Sequence, residues 1–182
     1  NHREGHWIIE NDWPENIANS TWQFQADSVL SNLIKEQSDL GIKVSSPQDC
    51  GIEGGEYCAI WLGAEMPGDQ QIDDAKSVNF TSPVLSEKLD IVGAPNIQLS
   101  ISSDKPAAQI AVRLNHIHPD GASTRITYGV FNLAHRNGFD IATPLSPGEV
   151  FNVDFSLDQV AYRVPVGHKI RVSISSSYWP LI

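Results

Sequence analysis

The chain has 182 residues, of which 41% are hydrophobic and 19% charged, and a formal net charge of −10 at pH 7. That composition supports a buried core and excludes a disordered segment, and the length suits one all-β domain covering residues 1–182. The acidic balance excludes nucleic acid and anionic membrane surfaces as partners, because both are bound through clustered Lys and Arg that displace counterions.

Every apolar run falls short of the roughly 20 residues needed to cross a bilayer, and the first residues carry no charged-then-apolar leader pattern. The compartment stays open, with a cytoplasmic one favoured over a secreted one. Cys50 and Cys58 flank a Gly-rich loop. They either bridge a short turn or remain free thiols, and a lone pair of cysteines favours free thiols. Asn19-Ser20-Thr21 and Asn79-Phe80-Thr81 match the N-glycosylation acceptor triplet, which is frequent by chance.

In chain order, the first half predicts strands at Trp7 to Glu10, Trp22 to Gln25, Ile42 to Val44, Ser77 to Ser82 and Glu87 to Ile91. Long loops run from Ser45 to Gly55 and from Gly63 to Asp69. A helical turn over Gln70 to Lys76 follows, with Asp69 placed to cap it. The second half alternates apolar and polar residues at the period of two expected of half-buried strands. The series are Ile97, Leu99 and Ile101; Ile110, Val112 and Leu114; Ile126, Tyr128 and Val130; Phe151, Val153, Phe155 and Leu157; and Ile170, Val172 and Ile174. Asp120-Gly121 marks a turn that needs positive φ. With no sustained 3.6-residue repeat to make crossover helices, a parallel α/β sheet is excluded and the chain reads as an antiparallel sandwich.

The Gly-x-Ser-x-Gly elbow of an α/β-hydrolase nucleophile is absent. Ser173, Ser175, Ser176 and Ser177 follow His168 closely, but nothing supplies an orienting carboxylate or an oxyanion hole, so solvent-facing strand serines are expected. His116 and His118 stand two apart, which points both side chains to one strand face, with Asp120 next in the same spacing. They are candidate zinc ligands, although a tetrahedral set would need further ligands from elsewhere. Asp69, Asp73 and Asp74 form an acidic cluster that lacks the order of a calcium-binding loop, so helix-end charge is the expected role of Asp73 and Asp74 and metal binding the alternative. No cofactor is expected. Five tryptophans, Trp7, Trp13, Trp22, Trp61 and Trp179, raise the alternative of a carbohydrate-binding module that stacks aromatics on sugar rings.

Several segments together resemble the C-terminal domain of the cocaine esterase / X-prolyl dipeptidyl peptidase group of acyl hydrolases. They are Gly5-His6-Trp7 with Asp12-Trp13-Pro14, Pro67-Gly68-Asp69-Gln70 with Asp73 to Ser77, Arg113 to Gly121, and Tyr128 to Leu133 with His135-Arg136. The most specific is Tyr162-Arg163-Val164-Pro165 with Gly167 to Val172, running into Ser175 to Pro180. The resemblance implies a jelly-roll β-sandwich of the galactose-binding-domain-like type, packed against an α/β-hydrolase catalytic domain of the same chain that carries the catalytic triad. It implies a non-catalytic accessory role that helps shape substrate access; a homo-oligomer is a further option. Trp7, Trp13, Trp179 and Pro180 are the expected contacts with that domain, because apolar aromatics near chain ends favour docking on a neighbour. His168 and Arg171 are expected to serve structure, through loop carbonyls or a carboxylate, with a contribution to the interface or substrate pocket as the lesser option.

Overall fold

The computed structural model describes Gly5, Trp7, Ile9 and residues 20–36, 39–55 and 66–182. Among the described residues, ten strands carry the fold, with one short α-helix, α1 (Gln71–Asp74). The strands are β1 (Gln23–Gln25), β2 (Val29–Ser31), β3 (Val78–Thr81), β4 (Leu89–Gly93), β5 (Asn96–Ser102), β6 (Gln109–Ile117), β7 (Ser123–Asn132), β8 (Val150–Ser156), β9 (Val160–Val164) and β10 (Lys169–Ser175).

Six of them form one sheet in the order β1-β2-β3-β10-β6-β7, while β4 pairs with β9 and β5 with β8. All of these pairings are antiparallel except the single β2–β3 bridge. Alternation decides which side chains meet between the layers. The large sheet contributes Phe80, Ile110, Val112, Leu114, Ile170, Val172 and Ile174, and the two small pairs contribute Ile97, Val153, Phe155 and Val164, all within one buried cluster. Phe131 of β7 stacks on Phe155 of β8 with ring centroids 5.1 Å apart, locking the two layers face to face. The architecture is all-β, as the alternation predicts.

All five second-half strands form where expected, and β1 and β3 fall within the predicted first-half runs. The expected strand at Ile42 to Val44 is absent: this stretch is irregular, and Val44 packs on the core without a pairing partner. Trp7 and Ile9 lie outside any strand, and the rest of the predicted first strand lies outside the described residues. Two strands were not anticipated, β2 and β9. The helical turn shortens to one turn, and Asp69 accepts the Gln71 N–H at 3.1 Å from one position before the cap.

One expected face is reversed. A β-bulge between Leu114 and Asn115 pairs Leu114 with Thr127 but Asn115 with Arg125, which leaves Ile126 as the extra residue. Each bulge shifts the pleat by one, so the residues on either side exchange faces. Thr127, Gly129 and Phe131 therefore sit opposite the inward Leu114, Val112 and Ile110, and Tyr128 turns out of the core. Of the predicted series Ile126, Tyr128 and Val130, Ile126, the extra residue of the bulge, packs partly buried against the core as expected, while Tyr128 and Val130 pair with Arg113 and Ala111 on the outer face and are corrected on this ground.

The β6–β7 hairpin closes through the His118 N–H to Ala122 carbonyl bond at 2.9 Å, with Gly121 at φ +91°, the left-handed conformation the Asp-Gly pair predicts. Phe80 is buried at the middle of the large sheet's inner face, so Phe80→Ala is expected to cost about 3–5 kcal/mol in urea unfolding, while the exposed Lys105→Ala changes stability by less than about 0.5 kcal/mol.

Candidate functional site

The outer face of the large sheet is polar and covered. Arg113 and Asn115 of β6 and Ser173 of β10 point outward and are fully buried under α1 and the loop at residues 45–55. Arg113 lies 3.6 Å from Asp73 and 3.4 Å from Asp74, and its Nη2 donates to Ser77 Oγ at 2.7 Å. Arg171 donates to Asp74 at 3.1 Å and to Thr81 Oγ1 at 2.9 Å. Two carboxylates and two guanidinium groups thus cancel in a site where unpaired charge is costly.

Both oxygens of each carboxylate accept hydrogen bonds. Asp73 takes the backbone N–H groups of Gly51 and Glu53 at 2.8 and 3.0 Å. Asp74 takes Asn115, Ser173 and Ser123 side chains at 2.8, 2.8 and 2.7 Å besides Arg171. Each oxygen of Asp73 and Asp74 is engaged inside the protein, and among the described residues the one cluster with metal-ligating spacing is formed by His116, His118 and His168 rather than by these carboxylates. Arg171 pairs with a carboxylate, one of the two structural roles its sequence context suggested.

This cluster holds a groove. Asp73 fixes the backbone of Gly51, and the Cys50 carbonyl beside it accepts the Trp179 N–H at 2.7 Å. Gly51 has φ +113°, and a Cβ there would stand 2.6 Å from the Trp179 backbone, so only glycine permits the approach. Arg125 donates to the Gly54 carbonyl at 2.8 Å and to the Tyr178 hydroxyl, and its guanidinium lies 4.5 Å from the centre of the Tyr128 ring. The result is a groove of about 400 Å³ lined by Gly54, Arg125, Tyr128, Tyr178, Trp179 and Pro180.

Trp179 is 58% exposed at its rim, although its backbone is fixed, and Pro180 is exposed beside it. Trp7 is 96% exposed. Trp13 and Trp61 lie outside the described residues. Trp22 packs partly buried against the core, which removes it from any sugar-stacking platform. Cys50 is buried with its Sγ 3.6 Å from Ser77 Oγ, and Cys58 lies outside the described residues.

On the inner face of the sheet, near the β6–β7 turn, the structure gathers three histidines. His116 and His118 share a face as their spacing predicts, with rings stacked at 4.0 Å. His168, at the start of β10, brings its Nδ1 to 2.6 Å from His116 Nε2. Tyr162 of β9 bonds His116 Nδ1 at 2.8 Å, and Thr124 Oγ1 stands 3.0 Å from His118 Nε2. One nitrogen from each of the three imidazoles lies within 4.8 Å of the others.

The sequence pointed to Asp120 as the third member. Asp120 instead accepts the Ala122 N–H within its own turn, and pairing of β10 with β6 brings in His168. Asp69 stands near His118. Burial pushes its pKa up, but the backbone N–H groups of Ser123 and Gln71, the Gln71 amide and His118 outweigh this and hold it below the usual carboxylate value.

Ser175 is the seventh residue after His168, about 23 Å along the strand, so no serine of the 175–177 cluster reaches this imidazole. Ser173 donates to Asp74 and Ser175 to the Ser177 carbonyl, which are structural bonds.

Two outcomes follow from the groove and its support. Arg113→Ala leaves buried Asp73 without its ion-pair partner and Asp74 with Arg171 alone, and is expected to lower stability by about 3–5 kcal/mol in urea unfolding, with faster hydrogen exchange at the Gly51 and Glu53 amides than elsewhere. Burial raises the Tyr178 pKa above its ordinary value near 10 despite the opposing Arg125. Below pH 10 the stabilisation is complete; above it the unfolded chain loses the phenol proton first, so stability falls as pH rises. Tyr178→Phe is expected to flatten that alkaline loss in pH-dependent thermal melts.

The family model for the X-Pro dipeptidyl-peptidase C-terminal non-catalytic domain matches residues 1–182. A Mycobacterium bovis protein assigned as a serine esterase is 25% identical over 203 residues, covering 96% of this chain and 31% of its own length. Cocaine esterase from a Rhodococcus species is 24% identical over 186 residues, covering 96% of this chain and 32% of the esterase. The chain therefore spans about a third of the length of these relatives. Among solved structures, an α-amino acid ester hydrolase superposes with a TM-score of 0.75 at 22% identity, over 89% of this chain and 29% of that one, which is a likeness of fold. The carbohydrate-binding alternative finds no support among them. On the family match along its whole length, the chain belongs to the family of non-catalytic C-terminal domains of X-Pro dipeptidyl-peptidases.

Proposed function

We propose that this chain is the accessory β-domain of a serine hydrolase of the acyl esterase or X-Pro dipeptidyl peptidase type, a jelly-roll sandwich that docks on an α/β-hydrolase catalytic domain and helps wall the substrate entrance. The chain performs no hydrolysis alone. The observation that carries this reading is the exposed pair Trp179 and Pro180 at the rim of the groove, fixed through Gly51 and the buried ion cluster, in a chain matching a non-catalytic family model along its length. A rigidly presented aromatic next to an arginine and two tyrosines is the composition of an interface core, where Trp, Tyr and Arg dominate binding energy. Docking there lets rigid backbone, rather than a mobile tail, set the position of the neighbouring domain.

The relatives' names support the class of parent enzyme, an esterase in one case and cocaine esterase in the other. The choice between ester and X-Pro amide belongs to the catalytic domain, since the serines and histidines described here form no nucleophile–base pair.

The test compares this chain with the longer hydrolase that contains it, using a chromogenic short-chain acyl ester and an X-Pro anilide. Turnover by the longer protein only is the expected result; turnover by the chain alone overturns the reading. In the longer protein, Trp179→Ala is expected to lower the thermal midpoint by several degrees and to reduce activity, while the same change leaves the melting of the isolated chain nearly unaltered.

A further inference from the structure

We infer that His116, His118 and His168 form a binding site for a divalent transition metal of the zinc class, which pins the β6–β7 hairpin to the turn entering β10. The inference stands apart from the docking role. Its first support is convergence: three neutral-capable nitrogen donors from two separate segments lie within 4.8 Å of one another at one end of the sandwich. A tetrahedral metal with ligands at about 2.0–2.1 Å holds its nitrogens roughly 3.3 Å apart. The His116–His168 separation of 2.6 Å must open by less than that of one bond length, and His118 must close in. Both adjustments fall on His118 and His168, which lie just beyond their strands and are half-buried, whereas His116 is 3% exposed and anchored within β6.

The second support is the surrounding hydrogen bonding. Tyr162 OH stands 2.8 Å from His116 Nδ1, where it can accept the Nδ1–H and leave Nε2 with its lone pair toward the cluster. With that tautomer, the His168 Nδ1–H can donate to the lone pair across 2.6 Å. Metal entry replaces this bond: the His168 proton moves to Nε2, Nδ1 becomes a donor to the metal, and the site gains the full charge of the ion without losing a proton. An all-imidazole set selects zinc, copper, nickel or cobalt over magnesium and calcium, which need oxygen ligands. The charge of Asp69 close to His118 favours a cation. The fourth position is left for water, because His118 and His168 are half-buried and give access from solvent.

The test titrates the chelator-treated full chain with Co²⁺, read by visible ligand-field absorption, and with Zn²⁺, read by calorimetry and thermal melting. The chain has six histidines, so a variant with His2→Ala, His6→Ala and His135→Ala removes the other three. Expected are one equivalent per chain at micromolar or tighter affinity, a rise of several degrees in melting temperature with Zn²⁺, and retention of both in that triple variant. His118→Ala and His168→Ala each should weaken binding at least about tenfold, and Tyr162→Phe, which keeps all three imidazoles, should weaken it by about tenfold as the orienting partner is lost. Circular dichroism of each variant distinguishes lost ligation from lost folding. Absence of stoichiometric binding, survival of binding in folded His118→Ala and His168→Ala, or its loss in the triple variant overturns the assignment.

Discussion

The buried pairing of Arg113 and Arg171 with Asp73 and Asp74 is the constraint on which the outer half of the molecule depends. Hydrophobic contact holds the two β layers together, but it has no purchase on the polar outer face of the large sheet. There the covering loop and α1 stay down because their carboxylates and backbone N–H groups complete a network that is costly to leave half made. Such a network contributes little net energy compared with an apolar core of the same volume. Its contribution is definition: Asp73 has one arrangement in which both oxygens meet Gly51 and Glu53, and that arrangement positions the chain end at Trp179.

From this follows the contrast between the two faces of the large sheet. At the groove, charge is neutralised internally and aromatic surface is left outward, which suits a lasting contact with another domain. At the histidine cluster, polar rings close the end of the apolar interior, and Tyr162 links β9 of one layer to β6 of the other. Both depend on the bulge at Leu114 and Asn115, which sends Arg125 and Tyr128 outward to the groove while leaving Thr124 beside His118. One extra residue thus sets which face of a single hairpin each of these side chains takes.

The family match and the geometry agree on a supporting role. The domain's buried charge holds a surface loop in place, which suits the non-catalytic family its sequence matches. The relatives are about three times longer than this chain, so whatever chemistry they perform has ample room outside the matched region.

Much of the fold was legible because the second-half strands bury one face against a second layer, and burial of one face imposes period-two alternation. The same signal ran through Val160, Tyr162 and Val164 of β9, masked by a short, Pro-terminated segment. The spacing of His116 and His118 placed both on one face, and the turn at Asp120-Gly121 followed from its need for positive φ. Tertiary structure alone decided the rest. That His168 joins the histidines depends on β10 pairing with β6 across more than fifty residues of chain. That Asp73 and Asp74 are buried acceptors depends on arginines brought from β6 and β10. The bulge that turns Tyr128 outward leaves no local mark in the sequence, because register is set by the partner strand and not by the strand itself.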